Sequence, residues 1–448
     1  MKQSGSSSKA LFQLAWPILI AQLALMANSV IDTAMAGRLS AIDLAAVGIA
    51  ASIMGTVLMS LLSVLFALPP IIAQLYGSNQ RDLIGREIHQ SVWISIMLAL
   101  VAILLLHFPE PFLWIAKLQP SVEIKVRAYL DASIWSVPAT IALRLFFGLS
   151  TGIGRPLPVM LFNLLALLLK IPLNAIFMYG LLGFSALGGP GCAIATAVDA
   201  WLLATIAWIW CLNHHSYAEF KLRERLSPPD IEAIRDFLHL GIPIALTFVA
   251  DITAFTFMSL FIARLGPVVS GAHQIAANLA VVAYMIPLAL GNATSVLAGQ
   301  ALGANNRELA RHTCWVGIRL GMTIAILTSL IFCFGAPYIA ALYTLDPQVQ
   351  AVAIPLILLV GIYHLGDALQ TIAVNALRGY KKSVIPMLIY TITLWGVGLG
   401  GGFLLGLTNT FGSAQGAIGF WIAAVASLSI VACLVGLYLN NVSRVKLT

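Results

Sequence analysis

Twelve apolar stretches, each long enough to cross a bilayer as a helix, run almost without interruption through this 448-residue chain. A crossing helix needs about 20 mostly apolar residues. Such runs fall near 10–36, 46–76, 91–115, 124–154, 157–181, 186–212, 236–264, 269–301, 312–339, 349–378, 384–407 and 414–440. Transmembrane barrel strands would be about ten residues long and strictly alternating, and these runs are neither. Charged residues make up 9% of the chain, against roughly 25% in a soluble domain, and mean hydropathy is +0.96. So little charge cannot clothe a water-facing surface, which excludes soluble, disordered and fibrous classes. The expected fold is an all-α integral membrane protein of twelve transmembrane helices.

The formal net charge is +7. No basic patch is interleaved with exposed aromatics, so nucleic acid is not an expected partner; the excess reads as positive-inside bias. An even number of spans puts both termini on one side. With the N-terminus inside, sixteen Lys and Arg fall on inner segments, Lys2 and Lys446 among them. Only Arg38, Lys117, Lys125, Arg127 and Arg264 fall on outer ones. Both termini are therefore expected in the cytoplasm, with the protein multi-pass in a plasma membrane. No cleavable leader is read in MKQSGSSSKA. The five cysteines sit in or beside apolar runs without metal-ligand or disulfide spacing, and read as small core residues.

One charged stretch, NHHSYAEFKLRERLSPPDIEAIR (213–235), interrupts the apolar pattern near mid-chain. It reads as a cytoplasmic linker with an amphipathic piece along the interface, giving lobes 1–212 and 236–448. An internal repeat supports the division. A shift of 226 residues lays Gln74, Gly77, Asn79 and Arg81 on Gln300, Gly303, Asn305 and Arg307, and Pro17 on Pro243. A shift of 227 takes Gly152 to Gly379. Two parallel six-helix repeats predict two pseudo-symmetric lobes with a central cleft, an arrangement suited to alternating access. A channel would need a ring of selectivity groups, and none is legible.

Acids within hydrocarbon are expensive and by default mark an ion or substrate path. Asp32, Asp251 and Asp367 stand in the first, seventh and tenth runs. Under the repeat they meet Met258, Leu25 and Thr140, so the lobes share a skeleton but not their carboxylates. The alternative for each is a structural carboxylate paired with Arg144 or Lys170. Asp199, with those two bases, is expected to be structural pairing, and His273 and His364 hydrogen-bonded core residues, with a proton relay as the alternative for His364, three residues before Asp367. Asp251 and Phe255 share a helix face, as do Tyr363 and Asp367; the eighth run adds Gln274, Asn278 and Tyr284. A carboxylate beside an aromatic face holds a cation by charge and by the ring quadrupole. Two neighbouring carboxylates also suit a proton or Na⁺.

At these residues the chain resembles the multidrug and toxic compound extrusion (MATE) family, its NorM-type branch in particular. The resemblance covers nearly the whole chain. It rests on Trp16-Pro17, VIDTAMAGRLS (30–40), AQLYGSNQ (73–80), TGIGRPLPVMLFN (151–163), KIPLNAIFMYG (170–180), GAHQIAANL (271–279), MIPLALG (285–291) and LRGYKKS (377–383). It implies an exporter of organic cations and drugs, driven by inward Na⁺ or H⁺, in the bacterial inner membrane. Asp251 and Asp367 match the family's cation site, with Phe255, Tyr284 and Tyr363 on aromatic positions lining it, and Asp32 matches the acid of the first helix. Ser52, Gln274 and Asp346 match polar contacts of the drug cleft, and Asn278 shares the Gln274 face. The expected substrate set is therefore Asp32, Ser52, Gln274, Asn278 and Asp346. The chain departs at Asp251, where NorM-like proteins carry Glu. The carboxylate is one methylene shorter, which favours a proton; if the ion is Na⁺, Asp251 and Asp367 are its ligands.

The alternative function is a flippase for a lipid-linked precursor, which would want a basic cleft. An enzyme would need a metal cluster or nucleophile pair, and His214-His215 has no matching set. No GxxxxGK[ST] motif is present. No cofactor is expected beyond the coupling ion, and a monomer is expected.

Overall fold

The computed structural model describes residues 2–116 and 118–444, and among them every regular element is helical. Lys117 and Lys446, two of the cations weighed for orientation, lie outside the described residues. The chain opens with α1 (Lys2–Gly37) and α2 (Ala41–Leu62), which runs through a 3₁₀ turn into α3 (Leu68–Gly77). Then come α4 (Arg81–His107), the short α5 (Glu110–Ala116), α6 (Pro120–Ile134), α7 (Val137–Gly152), α8 (Leu157–Tyr179) and α9 (Gly191–Asn213). The second half holds α10 (Ile231–Ala263), α11 (Pro267–Gly303), α12 (Arg307–Tyr343), α13 (Pro347–Gly379) and α14 (Val384–Thr393). A π-helical turn, Leu394–Gly400, leads into α15 (Gly401–Leu407), and α16 (Ala417–Ser443) follows.

Among the described residues eleven helices, α2–α3 and α14–α15 each counted as one, are long and apolar enough to cross a bilayer. The pair α6–α7, bent by 50°, passes the same test when its two arms are taken together, and counted as one span makes a twelfth. Pro138 near the start of α7 lacks the amide that would continue the hydrogen-bond ladder. Several helices begin before their apolar runs: α4 at Arg81 and α12 at Arg307 carry polar first turns that hydropathy does not register. The segment between α9 and α10 holds a short 3₁₀ helix, His215–Phe220, and α10 already starts at Ile231.

The repeat is visible turn by turn. Asn79 and Asn305 both adopt a left-handed backbone (φ 61 and 56°). Behind each, paired amides close the preceding helix: Gln80 on the Leu75 carbonyl and Asn306 on the Ala301 carbonyl. Gly154 and Lys381 repeat this device after α7 and α13 (φ 78 and 55°). Gly152 and Gly379 both permit a close helix crossing. A Cβ on Gly152 would stand 2.9 Å from the Pro69 carbonyl oxygen, and one on Gly379 would stand 2.8 Å from that of Ser295.

The chain divides into two compact units, Ile20–Ala245 and Leu246–Thr448, the latter joined by Met1–Leu19. The division cuts α1 and α10 just past Pro17 and Pro243, each inside its helix. In the second unit, Leu11, Leu14 and Ala15 of α1 pack into one core with residues of α10 to α16. That core is rich in alanine along α11 and α13. Small side chains let these backbones approach closely, which is how membrane helices pack without a hydrophobic drive.

Candidate functional site

Helical periodicity places a polar stripe on α13. Tyr363, Asp367, Thr371 and Asn375 recur every fourth residue, and Arg378 follows. On α10, Asp251 and Phe255 share a face in the same way. Within the second unit these stripes, with Tyr284 of α11 and Tyr390 of α14, line a cavity of about 370 Å³. Asp251 Oδ1 accepts a hydrogen bond from the Tyr390 hydroxyl at 2.5 Å. Trp395 Nε1 donates to the Ala250 carbonyl at 3.2 Å, fixing the chain after α14 against α10. Asp367 is 5% exposed, and its Oδ1 accepts from Gln370 Nε2 at 3.1 Å and more weakly from Thr371 Oγ1 at 3.4 Å. The two acids lie within electrostatic reach of each other. Neither is ion-paired to a base among the described residues.

Aromatic rings complete the wall. Phe255 meets Tyr363 edge-on at 6.5 Å, and Tyr363 meets Trp421 at 5.6 Å, which holds the Tyr363 ring in place. Five of the six residues expected at the cation site, Asp251, Phe255, Tyr284, Tyr363 and Asp367, therefore line one cavity. An acid in hydrocarbon is costly as an anion unless a proton, an ion pair or a cationic guest neutralises it. With no base paired to Asp251 or Asp367, a proton, a small cation or an organic cation fits that need.

The sixth, Asp32, belongs to the other unit and has a different environment. Lys170 Nζ stands 2.9 Å from its Oδ2, and Asn174 Nδ2 donates to its Oδ1 at 2.7 Å. Lys170 also reaches Thr196 Oγ1. This is the structural pairing that sequence reasoning held open for Asp32 and favoured for Asp199. Asp199 shares the charge of the same Lys170, but its Oδ1 is buried without a hydrogen-bond partner. Arg144 lies over the Phe66 ring at 5.0 Å. His273 is hydrogen-bonded to Ser259 and Trp421, as a core histidine should be, whereas His364 Nε2 has no partner.

The expected substrate contacts scatter. Gln274 and Asn278 line a shallow depression beside the cavity, where Asn278 Oδ1 accepts from the Tyr343 hydroxyl at 2.7 Å. Asp346 caps α13, its Oδ1 taking the Gln348 amide at 2.8 Å. Ser52 donates to the Gly48 carbonyl at 2.8 Å within α2, beside a shallow apolar depression.

Sequence reasoning missed several residues. Tyr390 carries no signal in its apolar run. Thr371 and Asn375 were legible, since they continue the Tyr363–Asp367 spacing. Arg378, one of the sixteen cations that the orientation argument places on inner segments, is 8% exposed and lines the cavity. Lys125 was taken for an outer-loop cation, and Asp43 was not singled out. Lys125 reaches Asp43 Oδ1 at 2.5 Å, and the Gly189 amide donates to the same atom at 2.8 Å.

Up to twelve candidate spans among the described residues, in two matching repeats with a polar cavity inside one of them, are the architecture of a membrane protein with an internal binding site. The MatE family model matches the chain twice, over residues 17–176 and 243–404, so that the repeat mates Pro17 and Pro243 open the two matches. The chain belongs to the MatE family. It is 38% identical to "Probable multidrug resistance protein NorM" of Chromobacterium violaceum, over 97% of this chain and 94% of that protein. It is 35% identical to "Multidrug resistance protein NorM" of Vibrio vulnificus, over 97% and 95%. Among solved structures, the eukaryotic MATE transporter AtDTX14 matches with a TM-score of 0.87 at 20% identity, covering 99% and 98% of the two chains. The Vibrio cholerae MATE transporter VcmN, in its bent form, matches with a TM-score of 0.85 at 20% identity, covering 99% and 98%. At that identity these two speak for the fold alone.

Proposed function

We propose that the chain is a secondary antiporter exporting cationic, lipophilic drugs and toxic organic compounds in exchange for an inward-moving ion. The observation that carries this reading is the cavity holding Asp251 and Asp367 without a paired base, faced by the rings of Phe255, Tyr284, Tyr363 and Tyr390. Charge and ring quadrupoles together suit an organic cation. An ion entering from outside neutralises the two carboxylates and weakens their hold on the drug. The drug leaves outward, and alternating access of the two repeats returns the ion inward. Ion and drug must favour opposite states or compete for one site, because a ligand that favours neither state shifts nothing.

H⁺ is the favoured coupling ion. The Asp251 oxygen that faces Tyr390 is already occupied by a hydroxyl donor, and a proton asks for fewer oxygen ligands than Na⁺ does. The multidrug resistance names of the NorM relatives support the drug class. The Lys/Arg asymmetry supports cytoplasmic termini in the bacterial inner membrane, and the working unit is a monomer.

The test is drug transport in proteoliposomes. An imposed pH gradient should drive accumulation of a cationic dye, and an imposed Na⁺ gradient alone should not. Asp251→Asn and Asp367→Asn should each abolish gradient-driven transport while the protein still reaches the membrane. Wild-type rates in both variants overturn the assignment.

A further inference from the structure

The start of α8 and the end of α9 carry a cluster of cations that the cavity does not use. The two helices pack against each other, and every residue concerned belongs to the unit Ile20–Ala245. Arg155 stands just before α8, and its Nη1 donates to Ser216 Oγ. Arg223 Nη2 donates at 2.6 Å to Oδ1 of Asn213, the last residue of α9. Both guanidiniums are thereby drawn to one stretch of four residues, Asn213 to Ser216. His214 and His215 lie inside it, their rings stacked with centroids 4.4 Å apart. The His214 ring is held in place: its Nδ1 accepts the Ser216 amide at 3.2 Å, and its centroid is 4.6 Å from that of Trp210.

Among the described residues no carboxylate is ion-paired with Arg155 or Arg223. The acids nearby are engaged elsewhere: Glu219 stands 3.6 Å from Arg81 and Asp82 3.1 Å from Lys221, while Glu224 lies in the field of Lys221. Desolvation and the charges of His215 and Arg155 hold the His214 imidazole below its ordinary value, so like charges crowd this end of α9. The helix faces running away from the cluster are apolar and uncovered. Leu157 and Leu161 are exposed one turn apart on α8, and Leu202, Ile206 and Ile209 are exposed along one face of α9. Phe162 of α8 and Trp210 of α9 meet at 6.4 Å, which joins the two faces next to the cations. Trp208 and Trp210 are half-buried in the last turns of α9, and tryptophan favours the depth of lipid headgroups.

We propose that this end of the α8–α9 pair is a site for an anionic phospholipid, its phosphodiester held by the Arg155 and Arg223 guanidiniums and its acyl chains lying along the exposed leucine and isoleucine faces. A guanidinium matches phosphate oxygens with paired N–H donors, and basic pockets between membrane helices take anionic headgroups. A zwitterionic phospholipid offers the same chains but brings its own cation to the arginines, so charge selects between the two. A soluble anion gains the cations without the apolar faces. The site is independent of what the cavity carries.

The test is native mass spectrometry of the purified full chain, titrated in detergent with dioleoyl phosphatidylglycerol or dioleoyl phosphatidylcholine. The first phosphatidylglycerol should bind more tightly than phosphatidylcholine. Arg155→Gln and Arg223→Gln should each weaken it about fivefold, the worth of one cation at an anionic membrane surface. The double variant should bind both lipids alike. Arg307→Gln, which removes a cation from the start of α12 in the other unit, should leave the first phosphatidylglycerol within about twofold. Equal affinity for the two lipids in the unaltered protein overturns the proposal, and so does a double variant that loses no more than Arg307→Gln. Inorganic phosphate should not displace phosphatidylglycerol at millimolar concentration; full displacement makes this a soluble-anion site and also overturns it. If the double variant fails to fold, hydrogen exchange of the unaltered protein in nanodiscs replaces it. Amides of 213–220 should exchange more slowly in phosphatidylglycerol than in phosphatidylcholine, and equal rates overturn the proposal.

Discussion

Removing the Lys170 ammonium tests whether Asp32 is a charge held by its own partner. The side chains of Lys170 and Asp32 are 4% and 15% exposed, and their charged atoms are 2.9 Å apart. At that separation and an effective dielectric near 20, the attraction is about 6 kcal/mol before desolvation is counted. Lys170→Met leaves the carboxylate with the Asn174 hydrogen bond alone. Stranding one partner of a buried pair costs about 3–5 kcal/mol. At roughly 2–4 °C per kcal/mol for a domain of this size, the apparent Tm should fall by about 10 °C. Asp32→Asn together with Lys170→Met removes both charges and should recover most of that loss. The measurement is thermal unfolding in detergent by a thiol-reactive or intrinsic-fluorescence probe, for the two single variants and the double. An unchanged Tm in Lys170→Met, or a double variant as unstable as the lysine variant, would refute the pairing argument.

Other outcomes follow from the same contacts. Tyr390→Phe removes the donor to Asp251 and should lower transport efficiency by about tenfold, given the worth of a hydrogen bond to a charged group, leaving it above that of Asp251→Asn in the same vesicles. Gly152→Ala and Gly379→Ala each push a methyl group against a backbone carbonyl and should cost about 1–3 kcal/mol by overpacking; unfolding curves matching the parent would show that the crossings have slack. Asp230 is held below the ordinary aspartate value by the Ala233 amide, the Arg86 guanidinium and the Glu232 amide. Because its folded value is depressed, the stability it lends to the start of α10 is fully present above the unfolded value. That contribution is lost as pH falls through the folded one. Protease cleavage of the 214–230 segment should therefore be slow and flat from pH 5 to 8 and faster in Asp230→Asn at every one of those values; equal rates would remove Asp230 from the cap.

The parts of the fold that one dimension of sequence encodes were readable. Spans follow from the length of apolar runs, and the repeat follows from residues that impose a backbone shape. Asn79 and Asn305 both make a left-handed turn, and Gly152 and Gly379 both permit a close crossing, so these positions match between the repeats. Boundaries were less legible because a helix continues past hydrocarbon into polar turns, as at Arg81 and Arg307. Within the site, Asp251, Phe255, Tyr363 and Asp367 were legible as paired residues one turn apart. The partners were not. Nothing in an apolar run marks Tyr390 as the residue facing Asp251, because that contact joins α10 to α14 across 139 positions. Lys170 was found as an intramembrane base, but the choice between Asp32 and Asp199 depends on how α1, α8 and α9 pack. Arg378 was not read as a cavity residue, because a cation at the end of a span reads as a loop cation unless the helix is known to bury it.

The exchange of a small ion for an organic cation at Asp251 and Asp367 is tested most directly by counting protons on drug binding. Tetraphenylphosphonium can be titrated into the purified protein in buffers of different ionisation heat. Binding should release protons from the wild-type protein, and Asp251→Asn with Asp367→Asn should bind the cation weakly and release none. Tight binding with no proton release, unchanged in the double variant, would contradict it.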